Sequence, residues 1–399
     1  MSEKKNIKQV IFLVTVMLTT IIVMADLPVY VIVNNLYTEF TDQVGTVNFI
    51  VSGTALTVML SSLICAGIMQ KIGKKNTLLA ADCVFLLCGL GCVFVQDAMI
   101  IAVLRGICGV AMGCTNVAAV AILTAYYEDD VKRAKIIGIY NTCMPLIGSV
   151  LSAVAGVLAV NGWHNIFQIH WVALPMMVLM LFFIPADQKE ETQQEGKKEK
   201  HALGLPFWYM TVYFFLICLG AMMLQMFYSV YIVEHDLGDI TFTGLVNTVI
   251  GYGSVLANLV FGFVYAKLGR KLVPFSLILA IAGGLLLLLV PGKVTVFVGY
   301  FILLAGYGFS FSCAYAYSPM LCSTGGMNMA IGIATATYSL ATFLSTYAVT
   351  GLQSLFHIET FTQVIPIVVG GLAVLLVLEL LLPKRMKKNP YEKEEEAVA

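Results

Sequence analysis

The chain has 399 residues, 59% of them hydrophobic and 12% charged, and its 23 basic and 23 acidic side chains balance to a net charge of zero. Soluble domains carry roughly 25% charged residues, so this composition excludes an ordinary soluble enzyme or binding domain, and the balanced charge indicates no nucleic-acid partner. Repeated apolar stretches of about 20 residues match a hydrocarbon layer about 30 Å thick, which makes the chain an all-α integral membrane protein.

Apolar runs broken by charged, glycine or proline punctuation give twelve spans, at 8–34, 45–69, 76–96, 98–126, 135–160, 165–184, 206–233, 242–266, 272–291, 294–319, 328–352 and 361–383. The first is too long for the apolar region of a signal peptide and lacks a small-residue cleavage site, so it is expected to stay attached. Of the 23 lysines and arginines, 21 fall in the two termini and in the loops on one side; the exceptions are Lys293 and Arg105. The opposite loops carry Glu39, Asp42, Asp97, Glu234, Asp236, Asp239 and Glu359. The bias of basic residues toward the inside predicts a multi-pass cell-membrane protein with both termini cytoplasmic.

In the first span, "IIVMADLPVYVIV" sets Asp26 in an apolar run. Pro28 cannot donate to the carbonyl of Met24, so the helix is expected to distort there and leave that carbonyl free. A free carbonyl at this depth needs protein or a water-filled cavity, which predicts an internal, hydrated Asp26. The second span runs into the turn "AGIMQKIGKKNTL", and the third carries Asp82 together with Cys88 and Cys92 one helical turn apart. No His or carboxylate accompanies these cysteines at metal-ligand spacing, so they are read as packing residues, with no metal and no cofactor expected.

The fourth span, "LRGICGVAMG", places Arg105, Gly109 and Gly113 at four-residue spacing, a small-residue face for close helix contact. At 1.5 Å per residue, Asp26 and Arg105 lie roughly 12 Å and roughly 10 Å below the same surface, so the two charges can meet. An ionisable group inside a spanning helix is a functional candidate by default. Burial favours the neutral acid and a nearby guanidinium favours the carboxylate, so geometry decides whether Asp26 holds a proton. Two readings stand: a static pair joining two helices, or a group that exchanges a proton, with Arg105 available to an anion.

The fifth span is "GIYNTCMPLIGSVLSAVAGVL", and "GWHNIF" follows it. His170 in the sixth span has the intrinsic chemistry of a proton relay. Next comes the polar stretch "DQKEETQQEGKKEKHALG", without apolar periodicity, which divides the chain into halves of six spans. The expected organisation is a bundle over 1–184, a cytoplasmic linker over 185–205, a second bundle over 206–384 and a solvated tail over 385–399. The seventh span spaces Gln225, Tyr228 and Tyr231 by three, and the tenth spaces Tyr307, Phe311 and Tyr315 by four. The turn after the eighth span, "FGFVYAKLGRKLV", repeats the one after the second, as in a transporter built by internal duplication. Glu379, near the inner surface, is expected to reach toward Lys384.

These residues resemble the major facilitator superfamily, and the likeness covers nearly the whole chain. Its loop pattern, G-x-x-x-D-R-x-G-R-K, is kept at Gly262, Lys267, Gly269, Arg270 and Lys271 in one copy and at Lys71, Gly73, Lys74 and Lys75 in the other. The acid is missing from both, being Ala266 and Gln70, and Asp82 is the candidate to pair with the loop lysines instead. Pro145 and Gly148 match the fifth-helix pattern of drug:proton antiporters, whereas Met144 and Ser149 depart from it.

The resemblance implies two pseudo-symmetric six-helix bundles, gating turns at Gly73–Lys75 and Gly269–Lys271, and a cavity lined by the first, fourth, seventh and tenth helices. Asp26 and Arg105 would form its central charge pair; Asn116, Gln225, Tyr228, Tyr307 and Tyr315 would line it, while His170 on the sixth helix would lie outside. No protease, nucleotide-binding or hydrolase motif of the H-E-x-x-H, G-x-x-x-x-G-K-[ST] or G-x-S-x-G type is present. The expected function is therefore a monomeric secondary transporter whose partners are a small-molecule substrate, protons and lipid. Efflux of amphipathic or xenobiotic compounds leads, followed by uptake of an organic anion and by a non-transporting sensor.

Overall fold

The computed structural model describes residues 2–127, 129–185, 204–317, 321 and 327–381. Most of the expected linker, and the tail over 385–399, lie outside the described residues. Every regular element among those described is helical. The helices are α1 (Ser2–Leu18), α2 (Thr20–Val23), α3 (Val33–Glu39), α4 (Val44–Ile72), α5 (Lys74–Phe94), α6 (Ala98–Tyr126), α7 (Asp130–Leu158) and α8 (Ala173–Phe183). They continue as α9 (Leu205–Met226), α10 (Tyr228–Glu234), α11 (Ile240–Leu268), α12 (Leu272–Leu289), α13 (Lys293–Tyr317), α14 (Met327–Phe356) and α15 (Ile365–Leu381).

Among the described residues, ten stretches are long and apolar enough to cross a membrane, and one of these, Ile240–Leu289, holds both α11 and α12. With α14, at 30 residues also long enough to cross, these helices occupy all twelve expected spans. The first, sixth and seventh spans are interrupted. Two of the breaks are 3-10 segments, Leu27–Ile32 and Trp163–Val172, both longer than such helices usually run.

Pro28 lies in the first turn of Leu27–Ile32, where a missing N–H costs nothing. The Met24 carbonyl is not left free, contrary to the sequence expectation: the Leu27 N–H turns back to it at 3.2 Å. A tighter winding thus satisfies the group that the proline would have orphaned.

By contacts the chain divides into two compact units, Met1–Lys189 with Phe227–Gly251, and Glu190–Met226 with Tyr252–Ala399. The first unit centres on an apolar cluster in which Phe12 and Val16 of α1, Phe85 of α5, Met112 of α6, and Met176 and Met180 of α8 are buried. Here α4 and α6 pack through the predicted glycine face. A Cβ added at Gly109 would lie 2.8 Å from the Thr54 carbonyl oxygen, and one at Gly113 would lie 2.6 Å from that of Val58. In the same unit α7 crosses α11 backbone to backbone, since a Cβ on Gly244 would lie 2.8 Å from the Gly156 Cα. Polar bonds flank this crossing: Thr248 Oγ1 donates to the Ser149 carbonyl at 2.9 Å, and Asn247 Nδ2 to Ser152 Oγ at 2.8 Å.

The second unit is held by α12 against α13, where Ser276 and Ser310 share a hydroxyl hydrogen bond of 2.7 Å, and by α9 against α14 and α15. Tyr213 Oη of α9 donates to the Leu375 carbonyl of α15 at 3.4 Å.

Candidate functional site

Asp26 stands at the cap of the Leu27–Ile32 segment. The helix break brings its carboxylate against α4 and α6. Arg105 Nη2 of α6 forms an ion pair with Asp26 Oδ1. Thr54 Oγ1 of α4 donates to the same oxygen at 2.8 Å, and Tyr30 Oη donates to Oδ2 at 3.3 Å. Arg105 Nε donates to the Ile50 carbonyl at 3.2 Å, which fixes the guanidinium plane.

The two charges differ in access: the Arg105 side chain is 1% exposed and that of Asp26 is 15%. A locked cation thus faces an anion that water can still reach. Thr54, Tyr30 and Ile50 were not singled out from the sequence. Tyr30 had a signal, being one helical turn from Asp26, whereas the role of Thr54 depends on how α4 packs.

Gly148 explains how the broken helix fits. It lies on α7 directly against Leu27, and a Cβ there would collide with the Leu27 side chain and lie 3.4 Å from the Met24 Cβ. Pro145, inside the same helix, has its carbonyl capped by Ser149 Oγ at 2.9 Å. The two matched residues of the fifth-helix pattern therefore sit beside the break that positions Asp26.

The other expected residues lie on several helices. Asn116, half-buried on α6, lies about three turns beyond Arg105, and its Oδ1 makes no hydrogen bond among the described residues. Gln225 is buried near the end of α9, whereas Tyr228 and Tyr231 are buried on α10 beyond the interruption at Phe227. In the second unit, Tyr307, Phe311 and Tyr315 do form a run, with ring centroids 6.1 and 4.6 Å apart, and Tyr338 of α14 meets Phe311 edge-on at 5.6 Å. Tyr315 Oη and Thr335 Oγ1 are 2.9 Å apart. His170 is buried in Trp163–Val172, bonded at Nδ1 to the Phe167 carbonyl at 2.8 Å. Cys92 Sγ bonds to the Cys88 carbonyl at 3.4 Å, and no group of three or more metal-ligating side chains occurs among the described residues.

At the basic turns, Gly73 has φ 88° and Gly269 φ 50°, conformations that favour glycine. Lys74 opens α5, and Lys271 lies exposed at the end of the 3-10 turn Gly269–Lys271. One expectation needs correction here. Asp82 does not pair with the loop lysines: Lys75 Nζ instead donates to the Leu181 and Ile184 carbonyls at 2.7 Å, fastening the turn to the end of α8. Glu379 pairs with Arg270, Nε to Oε1 at 4.0 Å, and Arg270 lies over the Tyr317 ring at 5.6 Å; Lys384 is outside the described residues. A carboxylate from α15 thus faces the arginine whose loop lost its acid at Ala266.

Comparison with known proteins places this architecture. The family model described as Major Facilitator Superfamily matches residues 11–346 and 210–398. The chain belongs to the major facilitator superfamily. Superfamily members are membrane transporters rather than enzymes, in agreement with the multi-pass fold.

Among curated superfamily relatives, the chain is 24% identical over 152 residues to "Multidrug resistance protein Stp" of Mycobacterium tuberculosis (strain CDC 1551 / Oshkosh), covering 38% of this chain and 28% of that protein. It is 26% identical over 145 residues to "MFS-type efflux pump MMF1" of Pseudozyma antarctica (strain T-34), covering 34% and 25%. The match therefore spans about a quarter of the length of these relatives. Among solved structures, the nucleoside transporter NupG aligns with a TM-score of 0.73 at 12% identity over 91% of this chain and 98% of that one. The inward open xylose transporter XylE from E. coli aligns at 0.70 and 14%, over 93% and 95%.

Proposed function

We propose that the protein is a monomeric secondary transporter of the cell membrane, with both termini cytoplasmic, which works by alternating access and exports small amphipathic or xenobiotic compounds in exchange for protons. The observation that carries this reading is the unequal burial of the Asp26–Arg105 pair. While Asp26 is ionised it neutralises Arg105. A proton arriving on Asp26 removes that charge and leaves a buried guanidinium held by the Ile50 carbonyl. An uncompensated buried charge is strongly unfavourable, so the protonated protein favours a different packing of α4, α6 and the broken first span.

Loss of the proton restores the pair and the packing seen here. A substrate that competes for Asp26 then exchanges with the proton rather than travelling with it. The names of the efflux relatives support the substrate class and the direction.

A second reading is favoured by the buried Arg105: when Asp26 is protonated, the guanidinium becomes a site for an anion, and the same chemistry supports proton-coupled uptake of an organic anion. Vesicles with an imposed pH gradient separate these readings. A lipophilic cationic dye should be moved against the proton flow, stimulating proton flux in the wild type and not in Asp26→Asn. Flux in Asp26→Asn equal to that of the wild type would sink the coupling, and accumulation of an anionic probe with the proton would select the second reading.

A further inference from the structure

α5 carries a second carboxylate, which the cycle above does not use. Asp82 is 0% exposed, and neither of its oxygens has a hydrogen-bond partner among the described residues. It lies mid-way along the stripe that α5 buries, with Leu78, Phe85, Gly89 and Cys92. Buried polar groups are normally hydrogen-bonded, because desolvation without a partner is unfavourable. An ionised carboxylate would be the extreme case, and in a spanning helix an ionisable side chain points to function. A neutral acid avoids most of that penalty.

The register places Asp82 relative to the central pair. α5 and α6 follow one another across a short turn and run antiparallel, with the side chain of Cys88 beside that of Cys108. Counting from that contact, Asp82 is level with Cys114, which puts it about 13 Å nearer the basic face than Arg105. His170 lies between: its ring stacks on Phe85 at 4.3 Å and fills the space beside Gly89, where a Cβ would strike the imidazole. Within the first unit, titratable groups thus follow one another toward the basic face, from Asp26 with Arg105, through His170, to Asp82.

The helices packed on α5 bring few other titratable groups. α6 carries Arg105, Cys108, Cys114 and, at its last residue, Tyr126; Trp163–Val172 carries His164 and His170; α4 carries Cys65 and Lys71; α8 carries none. On α5 itself, Lys74, Lys75, Cys83, Cys88 and Cys92 complete the set. No ion pair reaches Asp82 among the described residues, and Lys75 is engaged by the end of α8.

We infer that Asp82 is a second proton-binding site of the first unit, closed off with its proton in this conformation and exchanging it with water at the basic face when the surrounding helices part. Its use in transport rests on the proton-coupled reading above, whereas its protonation does not. The step is simple dissociation of the carboxylic acid, the proton passing to water.

The test needs no substrate. Protein labelled with carboxyl-¹³C aspartate and reconstituted in phosphatidylcholine–phosphatidylglycerol vesicles is followed by infrared spectroscopy through a pH titration. Wild type and Asp26→Asn should both show a protonated-carboxyl band at neutral pH that carries the isotope shift and bleaches as the pH rises, and Asp82→Asn should lose that band entirely. Because the amide copies the shape of the neutral acid, Asp82→Asn should also unfold at the wild-type temperature; if it does not fold, the labelled Asp26→Asn protein decides alone. Absence of the band, its persistence in Asp82→Asn, or a band indifferent to pH overturns the inference. Unchanged dye-driven flux in Asp26→Asn would refute the coupling reading while leaving the Asp82 band in place, so the two failures are distinguishable.

Discussion

The substitution Asp26→Asn separates the charge of the central pair from its shape. The new amide keeps an oxygen for Thr54 Oγ1, which lies 2.8 Å from the Asp26 carboxylate, but offers Arg105 no charge. Arg105 is 1% exposed and keeps its bond to the Ile50 carbonyl. Breaking a buried pair by removing one partner costs about 3–5 kcal/mol. The 15% exposure of the Asp26 side chain admits water to this side of the guanidinium and favours the lower end, about 3 kcal/mol. That corresponds to more than about a hundredfold in the folding equilibrium.

Adding Arg105→Met should restore most of the loss, to within about 1 kcal/mol of wild type, because a neutral site of similar volume leaves no buried charge. The two changes would then be coupled by at least about 2 kcal/mol, plus whatever Arg105→Met alone costs by leaving Asp26 unpaired. Denaturant unfolding of the purified protein in detergent, followed by the fluorescence of Trp163, Trp171 and Trp208, measures all four corners of the cycle. A wild-type midpoint for Asp26→Asn, or strictly additive losses in the double variant, would refute the electrostatic account.

Other substitutions test the packing. Gly113→Val should destabilise by about 3 kcal/mol or more, because its branches must enter the 2.6 Å left to the Val58 carbonyl and α4 must shift; the thermal midpoint reads this. Gly148→Leu should displace Leu27 and lower pH-driven dye flux more than it lowers the yield of folded protein, as quantified by flux per reconstituted molecule. Glu379→Gln should cost about 1 kcal/mol at low salt and less at high salt, because Arg270 is 24% exposed and reaches water; denaturation at two ionic strengths decides.

The parts of the fold legible in sequence were those set by solvent and by local spacing. Apolar run length gave the spans, and the four-residue spacing of Arg105, Gly109 and Gly113 gave the face that α4 occupies. Depth counting brought Asp26 and Arg105 to one level because both lie a short distance from a helix end. Partners remote in sequence were not legible: Glu379 of α15 meets Arg270, and Thr54 reaches Asp26 only through the packing of α4. The Met24 carbonyl shows a third limit. Proline chemistry predicted the orphaned acceptor, but not that the chain would change its winding to satisfy it.

That change of winding has a mechanical side. Residues in a 3-10 helix advance about 2.0 Å and turn about 120° each, against about 1.5 Å and about 100° in an α-helix. The six residues Leu27–Ile32 therefore hold about 3 Å of extra length and about 120° of extra rotation relative to an α-helical form. Rewinding them would act as a short screw, drawing α3 inward while swinging Tyr30 around the axis and off Asp26. The segment that presents the carboxylate is thus also a threaded joint, in which a small travel along the span becomes a large change in what the acid can touch.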